Sequence, residues 1–287
     1  MSGFLGKALD RFVTIVEMDR RIIFLCIFIS VAIPLFFPMG FPIQPSKEVV
    51  TLYEAVEALP VGSVVYLAAD LDPGSMPELY PMMEAGMRHM FRKNLKVVAG
   101  CLWPAAPPLV DEAFRDIGIG EYNKTYGVDF VNLGFKEGRE VVMVSLGKSI
   151  PETFPADYRG TPVGSIPMME GIETIHDIDL IFNVSAGYPG TKEWVQQVQS
   201  RFDIRIVAGV TAVSAPEFYP YIQSGQLAGL LGGLAGAAEY EVLLRQPGSG
   251  VKGMDAQSLG HLVIVGFIIL GNLIFIIGRR RRGPDHD

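Results

Sequence analysis

Two aspartates close an apolar run in VVYLAADLDPGS. Asp70 and Asp72 have the side chains and spacing that can hold a divalent cation or a phosphoryl group. A second candidate is NVSAGYPGTKEW, from Asn183, where Ser185 and two glycines precede a helix start at Thr191 and backbone amides could receive an anion. Lys148 could lie near the same anion. Neither stretch contains G-x-x-x-x-G-K-[ST] or G-x-G-x-x-G, so no nucleotide fingerprint is present. The four histidines, His89, His176, His261 and His286, share no metal-ligand spacing, which argues against a zinc centre or a His-based triad. No cofactor is predicted.

The strand-D-x-D segment resembles the first motif of the haloacid-dehalogenase phosphatases. That resemblance implies a metal-assisted phosphoryl site at Asp70 and Asp72. Gly74 stands where the family has threonine or valine, and no later acidic pair closes a strand. The bottom-up reading of Asp72-Pro73-Gly74 is therefore a solvated turn.

Residues at such positions need strands to present them. Apolar runs with the length of buried strands occur at 63–71, 95–103, 128–135, 140–146, 179–185 and 204–210. Their near-continuous hydrophobicity predicts cover on both faces, as in a parallel sheet. Helical patterns at 47–59, 76–93, 107–117, 165–175, 191–202 and 215–245 lie before and between the runs. FKEGREV reads as a tight turn, which would make 128–135 and 140–146 an antiparallel edge hairpin. The form S-x-P-E recurs at Ser75, Ser149 and Ser214 and marks helix starts. The expected fold is α/β: a three-layer, Rossmann-like, mostly parallel sheet with one antiparallel edge hairpin, flanked by two transmembrane helices. Its carboxyl rim would carry Asp70, Asp72, Cys101, Trp103, Ser185 and Ser214, among others.

The flanking helices follow from composition. Of 287 residues, 49% are hydrophobic, and two uncharged stretches supply the excess. The boundaries expected are an amphipathic leader at 1–21, a first span at 22–43, the α/β domain at 46–247, a linker at 248–258, a second span at 259–278 and a basic tail at 279–287. Lys7, Arg11, Arg20 and Arg21 precede the first span, and Arg279 to Arg282 follow the second. The positive-inside rule then places both termini in the cytoplasm and the central domain outside a two-pass plasma membrane protein. Residues 41–260 hold 16 Lys/Arg against 26 Asp/Glu, an excess of negative charge that argues against nucleic acid as a partner. Cys26 falls in the first span and Cys101 at a strand end, so no disulfide is expected between them.

QSGQLAGLLGGLAGAAEYEVLL, from Gln223, is the least ordinary stretch. Wound as a helix, it puts Leu227, Leu230, Leu231 and Leu234 on one stripe and Gly225, Gly229, Gly232, Gly233 and Gly236 on the other side. Such glycines weaken a helix unless a backbone packs closely on them, from the same domain or from another copy. Self-association through this face is the working expectation. Within the second span, Gly266, Gly271 and Asn272 are candidates for helix packing. Together these features predict a membrane-anchored extracytoplasmic scaffold that forms a homo-oligomer and binds a membrane or extracytoplasmic partner. The alternative is an enzyme or small-ligand receptor, of hydrolase or anion- or metal-binding type, using Asp70, Asp72, Lys148 and Ser185.

Overall fold

The computed structural model describes residues 20–281. Most of the leader expected at 1–21, and the tail beyond 281, lie outside the described residues. The chain divides into two compact units: Pro42–Val251, and a smaller one formed by the segments before and after it.

The larger unit is an α/β domain. Helix α2 (Lys47–Glu57) leads into strand β1 (Val64–Asp70), α3 (Met76–Arg92), β2 (Lys96–Cys101) and α4 (Ala106–Ala113), which continues as a wider helical turn over Phe114–Glu121. Then come β3 (Phe130–Phe135), α5 (Glu140–Leu146), α6 (Ile150–Thr153), three short 3-10 turns and β4 (Leu180–Ser185). A helical run, α7, opens at Thr191–Trp194 and continues to Phe202; β5 (Ile206–Val210), α8 (Ala215–Gln223), β6 (Leu230–Gly232) and α9 (Gly233–Leu244) complete the unit.

All six strands are parallel, in the order β3-β2-β1-β4-β5-β6. This is the Rossmann order, in which the chain moves outward from β1 in one direction and then restarts at β4 on its other side. Alternate side chains of β1 supply two cores. Val65, Leu67 and Ala69 join α2, α3, α4 and α9 on one face, while Tyr66 and Ala68 join the α5–α8 side on the other. Burial on both faces explains why these strands read as unbroken apolar runs.

Two of the expected elements in this domain are replaced by others. The antiparallel edge hairpin does not form: β3 pairs parallel with β2, and 140–146 is helix α5. Val142, Met143 and Leu146 are buried at helical spacing while Val141 faces solvent, so packing on the sheet overrides the β-branched local preference. In place of the helix expected over 165–175 there are three short 3-10 turns, at Val163–Ser165, Pro167–Met169 and Ile175–Asp177, with irregular backbone between them.

The glycine-rich stretch is not one helix. Gly225 (φ +77°) follows the end of α8 in the left-handed region, and Gly233 (φ +61°) turns the chain from β6 into α9. Gly229 meets its own domain: a Cβ there would sit 2.4 Å from the Leu52 nitrogen. A Cβ on Gly232 would come 3.0 Å from the Ala215 Cβ, and one on Gly236 2.9 Å from the Leu231 backbone. The leucine stripe is likewise divided, with Leu230 in one core and Leu231 in the other.

The smaller unit contains α1 (Arg20–Phe36) and most of α10 (Ser249–Arg281), whose first turns occupy the stretch expected as a linker. Ser249–Leu273 is long and apolar enough to cross a membrane, by length and composition. Among the described residues, the first expected span does not reach that length. Helix α1 has 17 residues, contains Pro34, and gives way at Phe37 to non-helical backbone. The freed amides of Met39, Gly40 and Phe41 donate to the buried Asp255 carboxylate at 2.8, 2.9 and 3.2 Å. Gly260 is where α10 approaches α1, with a built Cβ 3.3 Å from Val31. By contrast, Gly266 and Gly271 have nothing within 4 Å of such a Cβ, and the Asn272 amide donates to Ile268 of its own helix.

Candidate functional site

In an open α/β sheet, ligands bind beyond the carboxyl ends of the strands, where the strand order reverses. Here that point lies between β1 and β4, whose last residues, Asp70 and Ser185, are register partners. Their side chains have different surroundings. The Asp70 carboxylate is fully buried and accepts the Leu102 N–H at 2.6 Å and the Trp194 indole N–H at 3.3 Å. Burial pushes its pKa up to about 7, against the lowering effect of those hydrogen bonds. Cys101, also buried, has its thiol pushed up by burial and by the nearby Asp70.

Asp72 takes no part in this cluster. Its Oδ1 accepts the Ser75 N–H at 2.9 Å and the Ser75 hydroxyl at 2.8 Å, and these bonds hold its carboxyl below the usual range. One aspartate is thus inside the protein and the other closes a turn, so D-x-D does not present two carboxylates to one ion. Among the described residues, no three His, Cys, Asp or Glu side chains are grouped as metal ligands. Lys148 is also separated from the others. Because 140–146 is helical, Lys148 does not end a strand; it lines a groove with Lys136, Ser145 and Glu152.

Ser185 does line a cleft. A cavity of about 320 Å³ opens between the segments that follow β4 and β5. Ser185, Tyr188, Thr191 and Lys192 line one side, with Ser214, Glu217 and Phe218 opposite. The walls are held from below. The Thr191 hydroxyl donates to Asn183 Oδ1 at 2.5 Å, and the Asn183 amide donates to the Ala68 carbonyl at 3.1 Å, fixing the start of α7 to β1. Glu193 accepts the Gly190 N–H at 2.9 Å, and the hydroxyls of Thr211 and Ser214 are 2.9 Å apart. Across the mouth, Lys192 Nζ lies 3.1 Å from Glu217 Oε1, and that contact raises the lysine pKa. Both side chains are about half exposed, so water and salt screen the pair and an entering ligand can replace either partner at low cost.

Hydroxyls on a rigid floor, one cation and one anion at the mouth, and aromatic walls suit recognition of a small polar molecule. No nucleophile–base pair is assembled in the cleft: the Ser185 hydroxyl donates to the Gly187 carbonyl at 3.3 Å. Ser185 and Ser214 were expected at the rim from their strands. Tyr188, Lys192 and Glu217 sit in a loop and at two helix starts, where a strand end gives no signal for them. Comparison with protein-family models, with curated proteins and with solved structures gives no match.

Proposed function

We propose that this protein is a membrane-anchored receptor for a small polar ligand, binding it in the cleft beyond β4 and β5 without chemical conversion. The observation that carries the reading is the cleft itself, at the carboxyl rim of a sheet in Rossmann order, with Ser185, Thr191, Lys192, Ser214 and Glu217 converging on one cavity. The apolar helix Ser249–Leu273 supports attachment to a membrane. The arginine-rich sequences at 20–21 and 279–282 support a topology with both ends in the cytoplasm and the domain outside.

The test is a thermal-shift screen of the full chain in detergent against phosphate, small carboxylates and amino acids. A hit should raise Tm in proportion to the logarithm of its concentration once that exceeds Kd. Lys192→Ala and Ser214→Ala should remove the shift without lowering the ligand-free Tm by more than a degree or two. A hit that survives both substitutions would place binding elsewhere.

A second reading, a self-associating scaffold that also binds a partner protein, draws on apolar exposure beside the rim. Val213 is 88% exposed, and Tyr219 is exposed on α8. Light scattering in detergent separates the readings: a scaffold is an oligomer that Val213→Asp dissociates, and a monomeric wild type rules it out.

A further inference from the structure

A second rim cavity, over the β2–β3 side, is not used by the site above. It measures about 260 Å³ and is lined by Trp103, Phe135, Arg139, Tyr188 and the two prolines Pro104 and Pro189, with Glu137 at its edge. Three aromatic rings thus meet at one opening. Tyr188 is 55% exposed and Phe135 40% exposed, so both leave ring surface open to solvent in the free protein. Neither ring region is loose. The Trp103 indole N–H donates to the Pro189 carbonyl at 3.0 Å, and the Tyr188 hydroxyl donates to Glu140 at 2.6 Å.

The cation is placed at a cost in backbone conformation. Gly138 has φ +134° and Arg139 has φ +50°, ψ −123°, a region that non-glycine residues rarely occupy. Such conformations persist where surrounding contacts impose them, and they concentrate at binding sites. Here the result is an exposed guanidinium 5.2 Å from the centroid of the Tyr188 ring. Tyr188 also lines the polar cleft, so the two cavities adjoin across one side chain.

Resting on the receptor reading, we infer that the second cavity is the subsite for a planar aromatic ring of the ligand, its anionic group facing Arg139. Flat aromatic walls recognise a π-face through stacking, and the guanidinium both stacks and pairs with carboxylate or phosphate oxygens. The ligand class is therefore an aromatic acid. Its polar extension, where it has one, reaches past Tyr188 to the hydroxyls of Ser185 and Ser214.

The chain has two tryptophans, Trp103 and Trp194, which allows a direct test. The full chain labelled with 5-fluorotryptophan gives two fluorine resonances, assigned with Trp194→Phe. Titration with benzoate and with indole-3-acetate should move the Trp103 line saturably, because a stacked ring adds a ring-current shift. Cyclohexanecarboxylate, equal in charge but not aromatic, should leave it in place. Tyr188→Ala and Arg139→Gln, both on exposed side chains, should each weaken the response at least tenfold. A Trp103 line that stays still through the millimolar range, while phosphate or a carboxylate raises Tm in a Ser214-dependent way, overturns the aromatic subsite and leaves the polar cleft standing. If neither the line nor Tm responds, the receptor reading is overturned as well. Equal responses to benzoate and cyclohexanecarboxylate also overturn the aromatic assignment.

Discussion

The indole N–H of Trp194 reaches the carboxylate of Asp70 at 3.3 Å, joining the helical run after β4 to the end of β1 beneath the rim. No base balances that carboxylate: its other partners are the backbone amides of Leu102 and Trp103, and its titratable neighbours, Cys101 and Tyr66, are themselves kept neutral by burial. The folded-state pKa of about 7 lies above the ordinary aspartate value of 3.8, so the folded protein holds the proton more tightly. Stability from this group is complete below about pH 4 and falls as pH rises to about 7, by roughly 4 kcal/mol at most. Asp70→Asn keeps an acceptor for Leu102 and cannot ionise. Because its NH2 group leaves the Trp194 N–H without an acceptor at every pH, the pH trend is the test: its Tm relative to the wild type should rise from pH 4 to 7, then hold at a constant offset. Parallel Tm curves across that range would show that Asp70 is not the buried acid described.

His89 predicts the opposite slope. The ring is fully buried, stacked on Tyr53 with centroids 4.6 Å apart, with Nε2 2.7 Å from Glu57 and Nδ1 2.6 Å from the Tyr240 hydroxyl. A carboxylate only accepts, so Nε2 carries the proton and Nδ1 accepts from Tyr240. Burial, only partly opposed by Glu57, lowers the histidine pKa to about 4, while the same contact lowers that of Glu57. Above pH 6.5 the ring is neutral in both states. As pH falls from 6.5 to 4 the unfolded chain takes up the proton first, and stability is lost. His89→Ala should remove that acid-side loss and cost about 3 kcal/mol at neutral pH, from the cavity and the stranded Tyr240 hydroxyl. Denaturant midpoints at pH 5 and 7.5 measure both effects.

Gly229 and Gly225 separate two roles that glycine plays in the same stretch. At Gly229 a Cβ would overlap the Leu52 backbone at 2.4–2.5 Å, so α2 or β6 must move; at Gly225 space is open and only φ +77° resists. Gly225→Ala should cost about 1 kcal/mol. Gly229→Ala should cost 3 kcal/mol or more, as overpacking against backbone does. Melting temperatures in detergent compare them, and equal losses would contradict the packing of Gly229 on Leu52.

The same stretch shows where the sequence stopped being legible. Leucines at helical spacing fit one helix, but they equally fit a loop, a three-residue strand and a new helix, and only the non-local contact with Leu52 decides. EVVMVSL misled for a similar reason, since its β-branched residues bury one side of a short helix. The other five strands were readable because each is buried on both faces and needs an unbroken apolar run. S-x-P-E does mark the starts of α3, α6 and α8, although only Ser149 makes the capping bond, accepting the Glu152 N–H at 3.1 Å. Ser75 instead bonds Asp72, and Ser214 bonds Thr211. At the rim, Ser185 and Ser214 followed from strand ends. The Lys192–Glu217 pair did not, because it depends on β4 and β5 being neighbours.

Asp255 offers the sharpest test within the smaller unit. Its buried carboxylate is the acceptor for three successive backbone N–H groups, at Met39, Gly40 and Phe41, where the chain has left α1. Three hydrogen bonds converging on one buried carboxyl fix the path of the chain there, and each contributes about 1 kcal/mol. Asp255→Ala removes the shared acceptor of all three donors and should destabilise the 37–41 segment by about 2–3 kcal/mol. Asp255→Asn retains one acceptor oxygen and should fall between the alanine variant and the wild type. Proteolysis of detergent-solubilised protein reads the effect directly: cleavage near 37–46 should speed up in the order wild type, Asn, Ala, while cleavage within Pro42–Val251 beyond that stretch stays slow. If the alanine variant is cut no faster than the wild type, Asp255 does not hold this segment.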